Sequence, residues 1–213
     1  MSTLAILGAG GHGKVVADAA QACGRWREIA FFDQAWPGRS RNGPWAVVGD
    51  EAQLLDRVRE FDGVAVAIGS NDVRLICIRR LLAAGATLAT VIHPKAVVSS
   101  HASVGAGSVV FAAAVVNPGA SIGMACIVNT AATVDHDCVL ADGVHVSPGA
   151  HLGGGVQVGA ASWIGIGASI KQYLQLGANT VVGAGAAVVH SFPGDVTLVG
   201  VPAQILDRKN HAE

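Results

Sequence analysis

Charged side chains are rare in the second half of the chain, and two of them flank a histidine. Residues 97–190 contain only four Asp, Glu, Lys or Arg residues, and Asp135 and Asp137 stand on either side of His136. A neighbouring carboxylate orients an imidazole and keeps it basic, which is what a general base near neutral pH requires. We therefore predict His136 as a general base and Asp137 as its partner. The competing interpretation is a solvated polar corner without a function.

A six-residue repeat must position these side chains. The repeat predicts short strands joined by tight corners and stacked into a parallel β-helix, because its period fits neither an amphipathic helix nor an alternating hairpin. A mostly small residue stands two places before each aliphatic one, and side chains two apart on a strand point the same way, into a narrow core. The aliphatic positions are Val98, Val104, Val110, Val116, Ile122, Val128, Val134, Leu140, Val146, Leu152, Val158, Ile164, Ile170, Leu176, Val182 and Val188.

A coil of three such repeats takes about eighteen residues, which decides where the other histidines fall. His145 and His151 each precede an inward position, so we expect both on outer faces of the β-helix, in the coil after His136 and close to it. Zinc binding is a competing role for such histidines. No closely spaced pair of the type H-x₄-H is present, so the sequence favours no metal site.

The composition changes near residue 95. Residues 1–94 carry nineteen Asp, Glu, Lys and Arg residues, against the four of residues 97–190, and His93-Pro94 lies at the change. We predict two domains: an α/β domain over residues 1–94 and a β-helix domain over residues 95–213.

The N-terminal part begins as a strand, a glycine turn and a helix. An apolar strand over residues 3–7 leads into G-x-G-x-x-G at Gly8, Gly10 and Gly13, and a helix-like pattern runs from residue 14 to residue 23. Such a turn brings backbone close to a phosphate at a helix N-terminus. Asp33 follows a second strand at the distance where a carboxylate meets a ribose or base. His12 has no packing reason to stand in the turn, so we interpret it as a ligand; a purely structural turn is the alternative.

Fewer than 95 residues hold only about half of a dinucleotide-binding fold, so a mononucleotide is the better match. The aromatic residues Phe31, Phe32 and Trp36 are expected to help Asp33 select the base. A third strand over residues 64–68 leads into the turn Gly69-Ser70-Asn71.

Overall composition excludes several classes of protein. The formal net charge of −1 gives no footprint for nucleic acid. No apolar run is long enough for a transmembrane segment, and the first residues lack a signal-peptide pattern, so we expect a cytoplasmic protein. The cysteines show no metal or redox spacing and are expected to be reduced and structural; they are Cys23, Cys77, Cys126 and Cys138.

Taken together, the motifs resemble the sugar acyltransferases of the left-handed β-helix superfamily. The nearest branch holds the bacterial nucleotide-aminosugar N-acetyltransferases of bacillosamine and perosamine synthesis and the sialic acid O-acetyltransferases. The resemblance rests on the glycine turn with His12, on Asn129-Thr130, on Asp135-His136-Asp137-Cys138, on the segment His145–Ala150 and on Gly200-Val201-Pro202-Ala203.

The resemblance implies a homotrimer with acetyl-CoA in the groove between neighbouring subunits. His136 matches the family's general base, and Asp137 matches a residue that is often Glu in relatives. Nucleotide and acceptor contacts are implied at Gly11, His12, Gly13, Asp33, Gly69, Ser70, Asn71, Asn129 and His145. Acetyl-CoA contacts are implied at His145, Gly154, Ile166, Gly183, Val201 and Pro202.

The implied reaction is direct acetyl transfer to the amine of a UDP- or GDP-linked 4-amino-4,6-dideoxy sugar for surface glycans. A base removes the amine proton as it attacks the thioester, and a backbone N–H, for which Gly154 is the candidate, stabilises the oxyanion. Three alternatives stay open: O-acetylation of a sugar of the sialic acid type, a zinc-dependent hydratase, and a sugar-nucleotide binding protein without activity.

Overall fold

The computed structural model describes residues 2–206, so residues 207–213 of the predicted second domain lie outside it. The N-terminal part is a five-stranded sheet in the order β3-β4-β2-β1-β5. Strands β4, β2, β1 and β5 are parallel to one another, and β3 pairs antiparallel with β4 in a hairpin. The strands are β1 (Thr3–Leu7), β2 (Glu28–Phe32), β3 (Arg41–Asn42), β4 (Trp45–Gly49) and β5 (Gly63–Val66); the helices are α1 (Gly11–Ala22), α2 (Glu51–Arg57) and α3 (Asn71–Ala83), with a 3₁₀ turn at Val58–Glu60.

Helix α1 begins three residues earlier than the apolar pattern predicts, because the glycine turn itself forms its first turn. Gly13 has no room for a side chain: a Cβ there would lie 2.2 Å from the carbonyl oxygen of Gly8. The close approach of α1 to β1 therefore requires glycine at this position.

The second part is a parallel β-helix, which confirms the prediction from the six-residue repeat. Its two-residue strands are β6 (Val91–Ile92), β7 (Val97–Val98), β8 (Ser103–Val104), β9 (Val109–Val110), β10 (Val115–Val116), β11 (Ser121–Ile122), β12 (Ile127–Val128), β13 (Thr133–Val134), β14 (Val139–Leu140), β15 (His145–Val146), β16 (His151–Leu152), β17 (Gln157–Val158), β18 (Trp163–Ile164), β19 (Ser169–Ile170), β20 (Gln175–Leu176), β21 (Val181–Val182) and β22 (Ala187–Val188). A hairpin of β23 (Thr197–Gly200) and β24 (Ala203–Ile205) ends it.

These strands form three sheets. Sheet I contains β7, β10, β13, β16, β19 and β22; sheet II contains β8, β11, β14, β17 and β20; sheet III contains β6, β9, β12, β15, β18, β21 and the final hairpin. Strands of successive coils pair in parallel eighteen residues apart, as Val116 does with Val134, and the last parallel pair, β21 with β23, is sixteen residues apart. The aliphatic positions of the repeat fill the interior, and only Val98 and Val104 of the first coil are less than fully buried.

All three corners of the β-helix contain a left-handed residue at the same place in successive coils. Between sheets I and II these residues are Gly119, Asp137, Gly155 and Tyr173, with φ between 58° and 76°. Ala113, Ala131, Gly149, Gly167 and Gly185 occupy the second corner, and Gly107, Ala125, Gly143, Ala161 and Asn179 the third. The corner between sheets I and II is called the His136 corner below.

The N-terminal part packs on sheet III. One apolar cluster joins α1 and the sheet β1–β5 to Val91, Val109, Phe111 and Ile127 of the β-helix. On the other face of that sheet, α2 and α3 form a second cluster that also includes Ala125. The predicted domain boundary at residue 95 stays a prediction. Over residues 2–206, no helix has the length and apolar character to cross a membrane.

Candidate active site

His136 and Asp137 meet at the His136 corner. The Nδ1 atom of His136 lies 2.8 Å from Oδ2 of Asp137, and both side chains are exposed, by 49% and 72%. Asp137 is the left-handed residue of this coil, and this backbone conformation turns its carboxylate back towards the preceding residue. With Nδ1–H donated to the carboxylate, Nε2 keeps its lone pair for a proton acceptor role.

The neighbouring carboxylates raise the basicity of this histidine. The hydrogen bond to Asp137, with the negative charges of Asp135 and Asp137, raises the pKa of His136 above its ordinary value of 6.5. Asp135 accepts hydrogen bonds from Nδ2 of Asn117 and from the backbone N–H of His136, each at 2.7 Å, and these bonds lower the pKa of its carboxyl. Asp135 is therefore a carboxylate throughout the range in which His136 titrates.

Gly154 lies one coil beyond, directly against the imidazole. A Cβ at Gly154 would stand 2.4 Å from Nε2 of His136, so only glycine admits the ring in this position. Its carbonyl accepts from the backbone N–H of Tyr173, whereas its own N–H has no backbone acceptor within residues 2–206. The structure thus puts the predicted base and the predicted oxyanion donor side by side.

A second cluster of candidates lies where α1 packs on sheet III. His145 is only 6% exposed, its Nε2 lies 3.2 Å from Nδ2 of Asn129, and its ring packs at a tilt of 47° against Trp163, with 4.3 Å between centroids. His12 reaches the same cluster, with its ring 6.4 Å from that of His145 and 5.6 Å from that of Phe111. Two buried atoms, Nε2 of His12 and Nδ1 of His145, have no hydrogen-bond partner within the described chain.

Burial and a nearby cation keep both histidines neutral. Desolvation, helped by the positive charge of Arg74, lowers the pKa of His12 to about 4. The same two causes, with His12 as a third, lower the pKa of His145 to about 3. Near neutral pH the pair therefore offers lone pairs and N–H donors rather than positive charge.

The expectation that His145 lies exposed and close to His136 is wrong. His145 points outward from sheet III, but α1 covers that face, whereas His136 stands at the corner between sheets I and II. Nine residues are half of an eighteen-residue coil, so the two histidines belong to different sides of the triangle. His151 lies on sheet I, where Nδ1 is 2.9 Å from Oγ1 of Thr133.

The glycine turn and Asp33 form one unit. Oδ2 of Asp33 accepts from the backbone N–H of Ala9 at 2.6 Å, and Oδ1 accepts from that of Ala35 at 2.9 Å. Gly11 is exposed at the start of α1, next to this unit, while Gly13 is buried beneath it. Gly13 therefore serves the packing of the turn and not contact with a ligand.

Several residues expected to contact a nucleotide are committed to the interior. Nδ2 of Asn71 donates to the carbonyl oxygens of Ala161 and Ser162, at 2.9 and 3.0 Å, and the residue is buried. Gly69 gives its carbonyl to Arg74, and Ser70 stays exposed at the start of α3. The expectation that Phe31 and Phe32 help select the base is also wrong, because both are fully buried in the two apolar clusters.

Sequence reasoning missed a group of basic residues beside the glycine turn. A cleft of about 250 Å³ is lined by Gly10, Gly11 and three cations, Lys14, Arg39 and Arg41. Nη1 of Arg39 donates to the carbonyl oxygen of Ala9 at 2.7 Å, which holds the guanidinium at the rim. The sequence signal was available in one respect: Arg39 and Arg41 follow Asp33 within eight residues.

Three of the residues assigned to acetyl-CoA line one apolar groove. His145, Ile166 and Gly183 border a groove of about 410 Å³ along sheet III, together with Trp163 and Pro148. Gly154 stands apart from it at the His136 corner. Val201 and Pro202 form the exposed turn of the final hairpin, on the same sheet as the groove.

Within one chain the predicted site residues therefore lie in two separate places. His136, Asp137 and Gly154 stand between sheets I and II, and the nucleotide and groove residues stand on sheet III and the part packed on it. Across residues 2–206, no three His, Cys, Asp or Glu side chains are grouped so that they could hold a metal ion.

Comparison with known families gives a match to the N-terminal part. The family described as PglD N-terminal domain matches residues 3–81. The UDP-N-acetylbacillosamine N-acetyltransferase of Bacillus subtilis is 38% identical over 114 residues, which are 53% of this chain. The chain spans about half the length of that curated relative, 52%.

Solved structures match nearly the whole chain. The acetyltransferase domain of PglB from Neisseria gonorrhoeae is 44% identical, with a TM-score of 0.92 over 97% of this chain and 100% of that one; it has also been solved in complex with acetyl coenzyme A. PerB from Caulobacter crescentus, in complex with CoA and GDP-perosamine, is 38% identical, with a TM-score of 0.91 over 97% of this chain and 98% of that one.

Proposed function

We propose, from the premise that the chain belongs to the left-handed β-helix acetyltransferases with a PglD-type N-terminal domain, that it acetylates a nucleotide-linked amino sugar. The donor is acetyl-CoA and the acceptor is the amine of a 4-amino-4,6-dideoxy sugar on UDP or GDP. The observation that carries this proposal is the exposed His136–Asp137 pair, with Nε2 directly against Gly154. The proposal implies a cytoplasmic enzyme, because both substrates are metabolites of that compartment.

The reaction follows from the atoms at the His136 corner. The amine nitrogen attacks the thioester carbonyl, and Nε2 of His136 takes the proton that the nitrogen loses. The oxyanion is held by the free N–H of Gly154 until the C–S bond breaks. The proton then passes from His136 to the thiolate, which leaves as CoA–SH beside the N-acetyl sugar. Asp137 holds Nδ1–H and stabilises the imidazolium between these two steps.

A homotrimer is part of the proposal because one chain separates the parts that the reaction needs. The base lies between sheets I and II, whereas the nucleotide candidates and the apolar groove lie on sheet III. A second copy that sets its sheet III against the His136 corner brings base, acceptor and donor together. The exposed aliphatic residues Ile166 and Val181 on that side support such a contact.

The basic cleft beside the glycine turn is the proposed subsite for the nucleotide diphosphate. Lys14, Arg39 and Arg41 supply positive charge next to the exposed N-terminus of α1, a combination that favours phosphate. Asp33 accepts a hydrogen bond from the backbone N–H of Ala9, which lines this cleft, and is the proposed contact for the ribose or base.

Removal of Lys14 tests this subsite. We expect Lys14→Gln to raise the dissociation constant of UDP or GDP by about five- to tenfold, because one charge-assisted contact to phosphate is lost. Calorimetric titration with each nucleotide measures the change. Lys95→Gln, which removes an exposed lysine from the β-helix, is the matched control, and equal affinities in the two variants would move the nucleotide elsewhere.

The activity itself is tested by thiol release from acetyl-CoA with a panel of UDP- and GDP-linked 4-amino sugars. Turnover with one of them identifies reaction, acceptor and nucleotide together. His136→Ala is expected to lower kcat by about 10²–10⁴, and His101→Ala, an exposed histidine of the same corner, to leave it unchanged. Retention of full activity by His136→Ala would exclude His136 as the base.

O-acetylation is the alternative with less support. Among the relatives that match this chain, one is named a UDP-N-acetylbacillosamine N-acetyltransferase and PerB was solved with GDP-perosamine. Turnover with a free sugar of the sialic acid type, together with no thiol release for any nucleotide amino sugar, would favour the alternative.

A further inference from the structure

Tyr173 is an aromatic residue without a role in the fold. It stands at the His136 corner, two coils beyond Asp137, and 71% of it is exposed. The packed interior of the β-helix does not include it.

The phenol ring lies back along the corner towards the reaction centre. A Cβ at Gly155 would stand 2.6 and 2.8 Å from Cδ1 and Cε1 of Tyr173, so the ring lies over this glycine. Gly155 follows Gly154, which is in contact with His136. Successive coils are about 4.8 Å apart, so the ring bridges the coil between Tyr173 and the His136–Asp137 pair.

The backbone at this position favours a different residue. Tyr173 has φ of 61°, a left-handed conformation that glycine adopts freely and that an aromatic residue adopts at a cost. The other left-handed corner positions in the coils hold Gly, Ala, Asn or Asp. A bulky, strained and exposed side chain is typical of a functional site, and here it stands next to the proposed oxyanion donor.

We propose that the ring of Tyr173 forms the wall of the acyl pocket and limits the donor to a short acyl group. This inference rests on the proposed function. A thioester whose oxygen is bound by the N–H of Gly154 has its acyl chain beside Gly155, where Tyr173 occupies the space that a longer chain needs. Tyr173 is thus a specificity-determining residue, and its hydroxyl group is not required for this role.

The test compares donors of different length. We measure kcat/KM for acetyl-, propionyl- and butyryl-CoA with wild type, Tyr173→Phe, Tyr173→Ala and Tyr173→Gly, with Gln172→Ala as the control at the neighbouring exposed position. We expect the butyryl-to-acetyl ratio to rise at least tenfold in the Ala and Gly variants, since each methylene that a pocket rejects changes selectivity by about 10- to 200-fold. The Phe variant and Gln172→Ala should keep the wild-type ratio.

The butyryl-to-acetyl ratio of kcat/KM tests the role of Tyr173 independently of the proposed function. If the ratio of kcat/KM for butyryl-CoA to that for acetyl-CoA is unchanged in Tyr173→Ala and Tyr173→Gly while acetyl transfer is intact, Tyr173 does not limit the acyl group. The proposed acetyltransferase activity would be unaffected by that result. If wild type releases no thiol with any acceptor, the proposed function fails, and calorimetric affinities for acetyl- and butyryl-CoA then test the wall directly. Tyr173→Gly is expected to unfold at no lower temperature than wild type, because it removes the backbone strain, so a change in selectivity cannot come from misfolding.

Discussion

The reactivity of His136 is set by two carboxylates with different tasks. Asp137 holds Nδ1 of the imidazole, and Asp135 holds the backbone of the same turn through the N–H of His136. Both charges favour the imidazolium, so the pKa of His136 lies above its ordinary value. A histidine with a raised pKa is a stronger base, but it loses its own proton only at a higher pH than an ordinary histidine does.

The Asp137→Asn variant tests this balance. In the proposed mechanism activity requires the neutral imidazole of His136, whose pKa is raised, so the acidic limb of the pH profile of kcat/KM is expected above pH 6.5 in wild type. The amide removes the charge and the main hydrogen bond that raise the pKa, and we expect the limb to move to lower pH with a lower plateau. Asp18→Asn, which removes one exposed charge from α1, should leave the limb in place. A limb that stays unmoved in Asp137→Asn would mean that another group titrates.

Single residues were predictable where local pattern decides their surroundings. The Asp135-His136-Asp137 cluster stands out in a stretch with almost no charge, and its place at an exposed corner follows from the inward position of Val134. Asn71, Phe31 and Phe32 were assigned wrongly because their burial depends on how α3 and the sheet pack against other elements. Tyr173 and Gly155 were not recognised, since their contact appears only when coils are stacked.

At the level of elements, one buried arginine fastens α3 to the β-helix. Arg74 is 1% exposed, and its guanidinium donates to the carbonyl oxygens of Ala125 and Gly143, each at 2.8 Å. It also donates to Ile68, Gly69 and Oδ1 of Asn71. Burial lowers the pKa of Arg74 to about 10, so it keeps its charge at neutral pH and contributes to the low pKa values of His12 and His145.

Loss of this arginine should be costly. Arg74→Met leaves buried carbonyl groups without donors, and we expect the free energy of unfolding to fall by about 3 kcal/mol or more. Denaturant titration measures it. Arg79→Met, at an exposed position of the same helix, should change stability by less than about 0.5 kcal/mol. Equal effects of the two substitutions would show that the network does not hold α3 in place.

The elements themselves differ in how far the sequence predicts them. The coils follow from an uninterrupted six-residue pattern, because each repeat must fill the same narrow core. The first strand, the glycine turn and the position of α1 follow from the motif at Gly8. The β3–β4 hairpin is not predicted from the sequence, because neither Arg41–Asn42 nor Trp45–Gly49 shows a clear alternation of apolar and polar residues. The packing of α1 on sheet III likewise had no local signal.

For the whole molecule, the proposed trimer makes catalysis a property of the contact between subunits. A base on one subunit and a nucleotide subsite on the next would give three equal sites around a threefold axis. Sedimentation should then show a single species of three times the 21.4 kDa chain mass.

Mixed assemblies provide the decisive measurement. His136→Ala lacks the base, and Lys14→Glu combined with Arg41→Glu repels the nucleotide, so each protein alone should be inactive. After denaturation and joint refolding in equal amounts, about one quarter of the sites would join an intact base to an intact nucleotide subsite. We therefore expect about a quarter of wild-type turnover. No recovery, in mixtures shown to be trimeric, would place each site within one chain.

The eighteen-residue coil also fixes distances along the axis of the β-helix, because every coil adds the same step. Three coil steps separate β15, which carries His145, from β23 of the final hairpin, so Val201 and Pro202 stand about 14 Å further along the axis. Removing or adding one coil leaves the strand pairing and the corners of the remaining coils in the same pattern. It changes the axial distance between His145 and the final hairpin by about 4.8 Å. Under the proposed function, the number of coils between these two places therefore sets the spacing of the acetyl-CoA contacts, while the repeat itself would allow a β-helix of another length.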